Sequence, residues 1–413
     1  METTGIRFIE DLNLDRQEEA TVLIRADLNV PLKDGEVTDA TRIEAAIPTI
    51  SHCIEAGLKV IVCSHLGRPG GEPTPELSME PVAAKLAELI DTDTLHYDME
   101  VVLPEHVVGE EVDVLLEELN PNRQIMLLEN LRFHPGEKKG DEEFAQKLAS
   151  YADFYVNDAF GAAHRKHASV YTINQFFDRH HKAAGYLIEE EIKHLSKVSD
   201  DPKKPFVAIA GGAKISDKLE VIETLLDKVD TLLIGGAMAY TFLKAQGQQV
   251  GASMVEEDFL EEAKRILDRV DLQKLDMRLP EDHRVGQGLE DAEATVTSDQ
   301  DIPAAKMGLD IGPRTEANYS EAIAGAATVF WNGPMGVFEN EAFATGTVAV
   351  AKAMAKASGY TVVGGGDSAS AVAKAGVSEE MDHVSTGGGA SLQLVQGKRL
   401  PGLESLRPNY PFK

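Results

Sequence analysis

The sequence predicts an α/β protein made of two parallel-sheet halves, and three observations predict it. Short apolar runs recur along the chain, and stretches with apolar residues at three- and four-residue spacing lie between them. A polar, twice proline-punctuated stretch, Ser199-Asp-Asp-Pro-Lys-Lys-Pro205, then splits the series near its middle. Strands that alternate with helical patterns are the mark of βαβ crossovers, whose strands run parallel.

In chain order, the runs Thr21 to Ile24, Lys59 to Cys63, Gln124 to Leu128 and Phe154 to Val156 read as strands of the first half. Phe206 to Ile209, Thr231 to Ile234, Thr328 to Trp331 and Thr361 to Val363 read as strands of the second. The periodic stretches Pro81 to Ile90, Glu142 to Tyr151, Asp217 to Val229 and Glu256 to Val270 read as crossover helices. Gly185 to Leu195 reads as a helix at the midpoint, with Glu189 and Lys193 at the favourable i,i+4 spacing. There is no internal repeat and no low-complexity tract.

Composition bounds the function. The 413 residues carry 69 Asp plus Glu against 40 Lys plus Arg, a formal charge of −29, so nucleic acid and anionic membranes are poor partners. The length suits two domains, and 43% apolar residues supply a core. Met1 to Gly5 has no signal-peptide pattern, and the longest weakly apolar stretch, Thr231 to Leu243, falls short of the ~18 residues that span a bilayer. A soluble, cytoplasmic protein is expected. Two cysteines, Cys53 and Cys63, make no disulfide framework and read as buried thiols. Only 24 lysines and widely spread carboxylates suggest a surface adapted to concentrated salt.

The loops after the apolar runs differ between the halves. Parallel strands put their carboxyl ends on one edge, where open α/β sheets bind ligands. In the first half that edge gathers Arg25-Ala-Asp27-Leu-Asn29, Ser64-His65-Leu66-Gly67-Arg68, Glu129-Asn130-Leu-Arg132 and His164-Arg165-Lys166-His167. Alternate residues of an extended segment share a side, so Arg25, Asp27 and Asn29 converge. Arg42, Arg68, Arg132 and Arg165, four of only 16 arginines, supply planar forks for an anion cup to which His65, His164 and His167 add donors.

The second half gathers glycine instead. Gly211-Gly-Ala-Lys214-Ile-Ser-Asp-Lys218 comes after a strand and opens a helix, which suits a phosphate site with two lysines one turn apart. Gly235-Gly236, Asn332-Gly333-Pro334 and Ser385-Thr-Gly387-Gly388-Gly389 end other runs. Gly364-Gly365-Gly366-Asp367-Ser368 offers backbone N–H groups to phosphate oxygens and a carboxylate for Mg²⁺. Neither a Walker A spacing nor a G-x-G-x-x-G fingerprint occurs.

Eight motifs in order resemble the phosphoglycerate kinase family: VLIRADLNVPL from 22, SHLGRP from 64, LLENLRF from 127, NDAFGAAHRKHAS from 157, GGAKISDK from 211, WNGPMGVFE from 331, GGGDS from 364 and STGGGAS from 385. The resemblance implies two Rossmann-like domains with parallel sheets, joined by a hinge helix with the ligand cleft between them. It divides the chain into 1–183 plus 401–413 for phosphoglycerate, 184–204 as hinge helix and linker, and 205–400 for nucleotide. It implies reversible phosphoryl transfer from 1,3-bisphosphoglycerate to Mg-ADP, giving 3-phosphoglycerate and Mg-ATP, by a monomer that needs no nucleic acid or membrane. Asp27, Asn29, Arg42, His65, Leu66, Gly67, Arg68, Arg132 and Arg165 would then bind substrate, with Arg42 and Lys214 catalytic. Gly211, Lys214, Lys218, Gly235, Gly236, Gly312, Asn332, Glu339, Gly364, Gly365, Gly366, Asp367 and Ser368 would bind nucleotide, with Asp367 on the metal. Leu28, Ser368 and Gln393 depart from the family's usual aromatic, Thr and Glu. A kinase for another small carboxylate and a nucleotide-binding regulatory protein are the alternatives.

Overall fold

A computed structural model describes residues 5–17, 19–93 and 99–412. It divides into two compact units, one holding the chain up to Lys193 together with Arg399 onward, the other His194–Lys398.

The first unit is built on six parallel strands: β1 (Thr21–Ala26), β2 (Lys59–Cys63), β3 (Glu100–Val102), β4 (Gln124–Leu127), β5 (Phe154–Asp158) and β6 (Lys182–Ala184). Their order across the sheet is β3-β4-β2-β1-β5-β6. The second unit repeats the plan with β7 (Phe206–Ala210), β8 (Thr231–Ile234), β9 (Asp276–Arg278), β10 (Thr328–Asn332), β11 (Tyr360–Gly364) and β12 (His383–Ser385), ordered β9-β8-β7-β10-β11-β12. All five pairings of this sheet are parallel as well. A three-stranded antiparallel sheet of His283–Gly286, Thr295–Val296 and Met307–Ile311 lies between β9 and β10 in sequence.

The eight runs read from sequence are the eight interior strands. Within the two parallel sheets, the four strands that sequence reading does not find, β3, β6, β9 and β12, are the edges and only three residues long; the antiparallel strands His283–Gly286, Thr295–Val296 and Met307–Ile311 and the pair Leu32–Lys33 and Glu36–Val37 are not found either. An interior strand is covered on both faces and so becomes a continuous apolar run, whereas a short edge strand has no such need. The helical readings fall on Glu80–Asp93, Glu142–Ala149, Leu219–Leu225 and Leu260–Gln273, and the midpoint helix extends to Tyr186–Ser199.

Helices cover both sheets. Ile43, Ile50, Val82 and Leu86 pack with Val22, Ile24, Val60 and Val62 in the first core, and Tyr319, Val350, Met354 and Val372 pack with Ile209, Val329 and Trp331 in the second. Cys53 and Cys63 are fully buried in the first unit and unbonded.

In each sheet the chain works outward from the first strand and then returns to its other side, so neighbouring crossovers leave β1 and β5, or β7 and β10, in opposite directions. A crevice opens at the carboxyl ends of such a pair, and ligands of open α/β sheets bind there.

The single tryptophan, Trp331, lies fully buried in β10 and donates from Nε1 to the Gly333 carbonyl at 2.7 Å. Its emission should be blue-shifted, insensitive to iodide, and should report unfolding of the second unit alone. Strong quenching in native buffer would contradict that burial.

Candidate active site

Arg25 stands next to last in β1, in register with Cys63 on one side and Asn157 on the other. Its side chain is wholly buried: Nε donates to Ser169 Oγ at 2.9 Å, Nη1 donates to the Ala26 carbonyl, and Nη2 faces His65 Nδ1 at 3.2 Å. All three partners are neutral. The buried Glu137 makes no hydrogen bond or ion pair with it among the described residues, feels its charge at longer range, and is bridged to it by Ser169, whose N–H and hydroxyl donate to the Glu137 carboxylate at 3.0 and 2.7 Å. A buried cation without a direct counter-charge is costly, and a bound anion relieves it.

Around this guanidinium the loops are braced by polar contacts. Asp27 Oδ2 accepts from Arg42 Nη1 at 2.9 Å, and Asp27 Oδ1 lies 3.7 Å from His65 Nδ1. Asn29 Oδ1 accepts from the Gly67 N–H at 2.8 Å, and Arg132 Nη1 donates to the Gly67 carbonyl at 2.6 Å. The fully buried Asn130 ties the Leu66 and Arg132 loops together, accepting from both their N–H groups at 3.1 Å and donating to the Leu66 and Leu77 carbonyls at 2.7 and 2.9 Å. Leu28 is buried, and its N–H donates to Ser64 Oγ at 2.8 Å. Arg68 and Arg165 are exposed, and their side chains make no hydrogen bond or ion pair among the described residues.

Electrostatics makes the cup an arginine site. Burial and then the Arg25 and Arg132 charges hold His65 well below the ordinary histidine range. Burial, followed by Arg132 and Arg25, pushes His167 down to about 3. Burial and Arg165 lower His164, whose Nδ1 is buried without a partner, as is Arg132 Nε. The histidines are therefore neutral donors, and the fixed positive charge comes mainly from arginine, with Lys138 adding to it at His167.

In the second unit, glycine lets three turns interlock backbone to backbone at the β7–β10 crevice. Gly211 N–H donates to the Asn332 carbonyl, Gly212 N–H to Pro334 and Gly236 N–H to Met335, each at 2.9 Å. A Cβ on Gly211 would lie 2.2 Å from the Pro334 carbonyl oxygen, and one on Gly236, at φ +68°, would lie 2.4 Å from that of Gly212. Lys218 Nζ donates to Asn332 Oδ1, and Asn332 Nδ2 donates in turn to the Gly364 carbonyl. Ser368 Oγ accepts from the Gly333 N–H at 2.6 Å, so the hydroxyl that replaces threonine's still holds this turn. Burial lowers Lys218, and the Asp367 carboxylate opposes that shift.

Asp367 and Lys214 are exposed and unpaired among the described residues; Asp367 sits in the first turn of the helix Gly366–Lys374. Gly235 packs on Met335, while Gly365, at φ +97°, faces Asn332 Nδ2. Two of the expected residues stand apart from the interlocked turns. Gly312 opens the helix Pro313–Ala324 against the Asp282 carboxylate, and Glu339 is exposed, its carbonyl 3.4 Å from Lys374 Nζ.

The residues that sequence reading does not single out are supports: Ser64, Asn130, Glu137 and Ser169. Nothing in their spacing marks them, although Ser64, Asn130 and Ser169 lie inside the SHLGRP, LLENLRF and NDAFGAAHRKHAS motifs; Glu137 lies outside all eight.

The phosphoglycerate kinase family model matches residues 9–398. A phosphoglycerate kinase of Clostridium botulinum (strain Alaska E43 / Type E3) is 51% identical over 398 residues, 96% of this chain and 98% of that protein. One of Anaeromyxobacter dehalogenans (strain 2CP-C) is 52% identical over 405 residues, 97% and 99% of the two chains. Among solved structures, phosphoglycerate kinase from Coxiella burnetii superposes with a TM-score of 0.84 at 38% identity, covering 98% of this chain and 100% of its own. That from Pyrococcus horikoshii OT3 gives 0.84 at 33% identity, covering 98% and 99%.

This geometry predicts two outcomes. A Gly211→Ala change forces carbonyls apart and should destabilise the second unit by about 1–3 kcal/mol, read by Trp331 fluorescence in denaturant. Gly366→Ala, which meets nothing within 4 Å, should not. His167 stays unprotonated in the folded chain down to about 3, against an ordinary value of 6.5, so between these the unfolded state binds more protons. Its contribution is complete above pH ~6.5 and is lost as pH falls toward 3. In NMR titrations His65 and His167 should keep neutral shifts at pH 5.5, whereas the exposed His106, raised by its hydrogen bond to Glu111, should be protonated. Titration of the first two near the ordinary value would refute the assignment.

Proposed function

The chain belongs to the phosphoglycerate kinase family, and from that premise we propose how its own residues divide the work. It is a phosphotransferase with a carboxyl group as acceptor, moving a phosphoryl group reversibly between 1,3-bisphosphoglycerate and ADP to give 3-phosphoglycerate and ATP. The phosphoglycerate binds at the β1–β5 edge, to Arg42, Arg68, Arg132 and Arg165 with Asp27, Asn29, His65 and the Leu66-Gly67 turn. The observation that carries this is Arg25, a fully buried guanidinium with only neutral partners, in the same unit as Arg68 and Arg165, which hold no ion pair among the described residues. The nucleotide binds at the β7–β10 edge, where Gly211, Gly235, Gly236 and Gly364 to Gly366 let its phosphates approach the backbone. Lys218 and Asn332 meet the phosphates, Ser368 keeps the Gly333 turn in place, and Gly312 and Glu339 border the nucleoside.

Asp367 fits Mg²⁺: it is an exposed carboxylate without a hydrogen bond among the described residues, and no group of three His, Cys, Asp or Glu competes there among them. A hard cation held by one carboxylate and by phosphates needs no more from the protein. When bound, it neutralises charge on the phosphates.

A carboxylate acceptor carries no proton at neutral pH, so no general base is required. Catalysis then consists of alignment and charge neutralisation. Arg42, held by Asp27, and Lys214, exposed and unpaired among the described residues, are the cations for the phosphoryl group in flight. Bringing the reacting oxygens into line calls for closure about residues 183–205, which also excludes water. The enzyme works as a cytoplasmic monomer on small-molecule substrates. Its −29 charge suits a salt-rich interior, where the surface field is screened within ~10 Å even at 0.1 M.

In a coupled assay with Mg-ATP and 3-phosphoglycerate, Lys214→Ala and Arg42→Ala should each lower kcat by about 10²–10³. Equal rates in all three proteins would sink these roles, and turnover of a different acid in preference would make it a kinase of another carboxylate. Wild-type activity should rise in molar KCl; inhibition there would remove the salt-adapted reading.

A further inference from the structure

The chain from Arg399 onward belongs to the first unit and packs on the loop that carries Arg165. The short helix Pro401–Glu404 lies against the start of that loop. Gly402 N–H donates to the Ala163 carbonyl at 2.8 Å, and a Cβ on Gly402 would come within 2.6 Å of Val170 Cγ1 and 3.0 Å of Ala163 Cα. Next in line, Ser405 is held from two sides: its hydroxyl accepts from Asn174 Nδ2 at 3.0 Å and its carbonyl from Lys182 Nζ at 3.0 Å. Lys182 is buried, donates also to the Asn174 carbonyl at 2.7 Å, and stands 5.3 Å from the centre of the Phe412 ring. Burial lowers its ammonium to about 8.

Three aromatic rings complete the contact. Tyr410 meets Phe412 edge-on at 5.0 Å, and both meet Tyr171 edge-on, at 5.8 and 5.7 Å, the favoured geometry for aromatic pairs. The hydroxyls of Tyr171 and Tyr410 are 3.2 Å apart. Tyr171 in turn takes the Lys166 ammonium over its ring at 5.1 Å, and its N–H donates to the His167 carbonyl at 2.8 Å. Lys166 and His167 come directly after Arg165, whose own N–H is fixed to the Ala162 carbonyl at 3.0 Å. The Arg165 loop is thus held at its start by Gly402 and at its end by the aromatic trio, while the Arg165 guanidinium makes no ion pair among the described residues.

We propose that Tyr171, clasped by Tyr410 and Phe412, is a positioning residue for Arg165, so that affinity for phosphoglycerate depends on residues 405–412. The proposal rests on the reading of Arg165 as a ligand of that substrate. The three rings are half-buried and stand outside the principal core of the unit, so removing two of them leaves the fold in place.

The test is a cycle of steady-state measurements on the full chain. Tyr410→Ala with Phe412→Ala should raise KM for 3-phosphoglycerate about tenfold, the scale of misplacing a charged ligand group rather than deleting it, with kcat and KM for Mg-ATP within about twofold. Tyr171→Phe, which removes only the hydroxyl contact, should change KM in the same direction and by less. Arg165→Ala should raise KM alone, and adding the Tyr410/Phe412 pair to it should then change little, because coupled residues are not additive. An unchanged KM in the Tyr410/Phe412 variant, or a full additional tenfold rise in the Arg165→Ala background, overturns the relay while leaving Arg165 as a ligand. A wild-type KM for Arg165→Ala overturns that ligand assignment and the relay together.

Discussion

Parallel pairing cannot be made by hairpins, so each strand must lead into a crossover, and every strand end lands on the same edge. In both sheets one adjacent pair, β1 with β5 and β7 with β10, sends its crossovers to opposite sides. The gap left above that pair is where loops from several strands meet without a covering helix. Most residues with a chemical claim on the reaction lie in loops that follow parallel strands; Arg42, in the first turn of the helix Thr41–Glu55, does not. The two units fill the same kind of gap by opposite means: side chains in the first, bare backbone in the second.

Filling a gap with arginines raises the question of what keeps them in place without an anion. Direct carboxylate partners would compete with the ligand. The first unit instead gives Arg25 neutral acceptors and keeps Glu137 one hydroxyl away, beyond Ser169. Burial keeps the nearby histidines uncharged, so they do not add to the repulsion. Among the described residues, Arg42 is the member of the cup with a direct acidic partner, Asp27, which also orients it. In the second unit the corresponding problem is steric: the interlocked turns leave no room for a side chain at Gly211 or Gly236, so a phosphate would meet N–H groups rather than carbon.

Legibility in the sequence comes from the same physics. Interior strands are readable because burial on two faces makes them apolar throughout; the edge strands Glu100–Val102, Lys182–Ala184, Asp276–Arg278 and His383–Ser385 are not, because each opens on a charged or polar residue and holds at most two apolar ones. Charged residues at strand ends announce themselves, since a cation in an acidic chain is conspicuous. Asn130 and Ser169 do not, since their value lies in partners distant in sequence, Leu77 and Glu137, that only folding brings near. Leu28, where the family usually has an aromatic ring, is absorbed into the core, and its backbone keeps the Ser64 contact.

The buried thiols have a practical consequence. Desolvation pushes Cys63 up to about 12 and Cys53 higher still, and neither side chain is reachable from solvent. Maleimide and iodoacetamide reagents attack exposed thiolates, so the native chain offers them no background. A cysteine placed on the surface of either unit becomes the sole labelling position without first deleting the natural pair. With one tryptophan as built-in donor, the molecule is a ready-made ruler for tracking its two units by energy transfer as substrates are added.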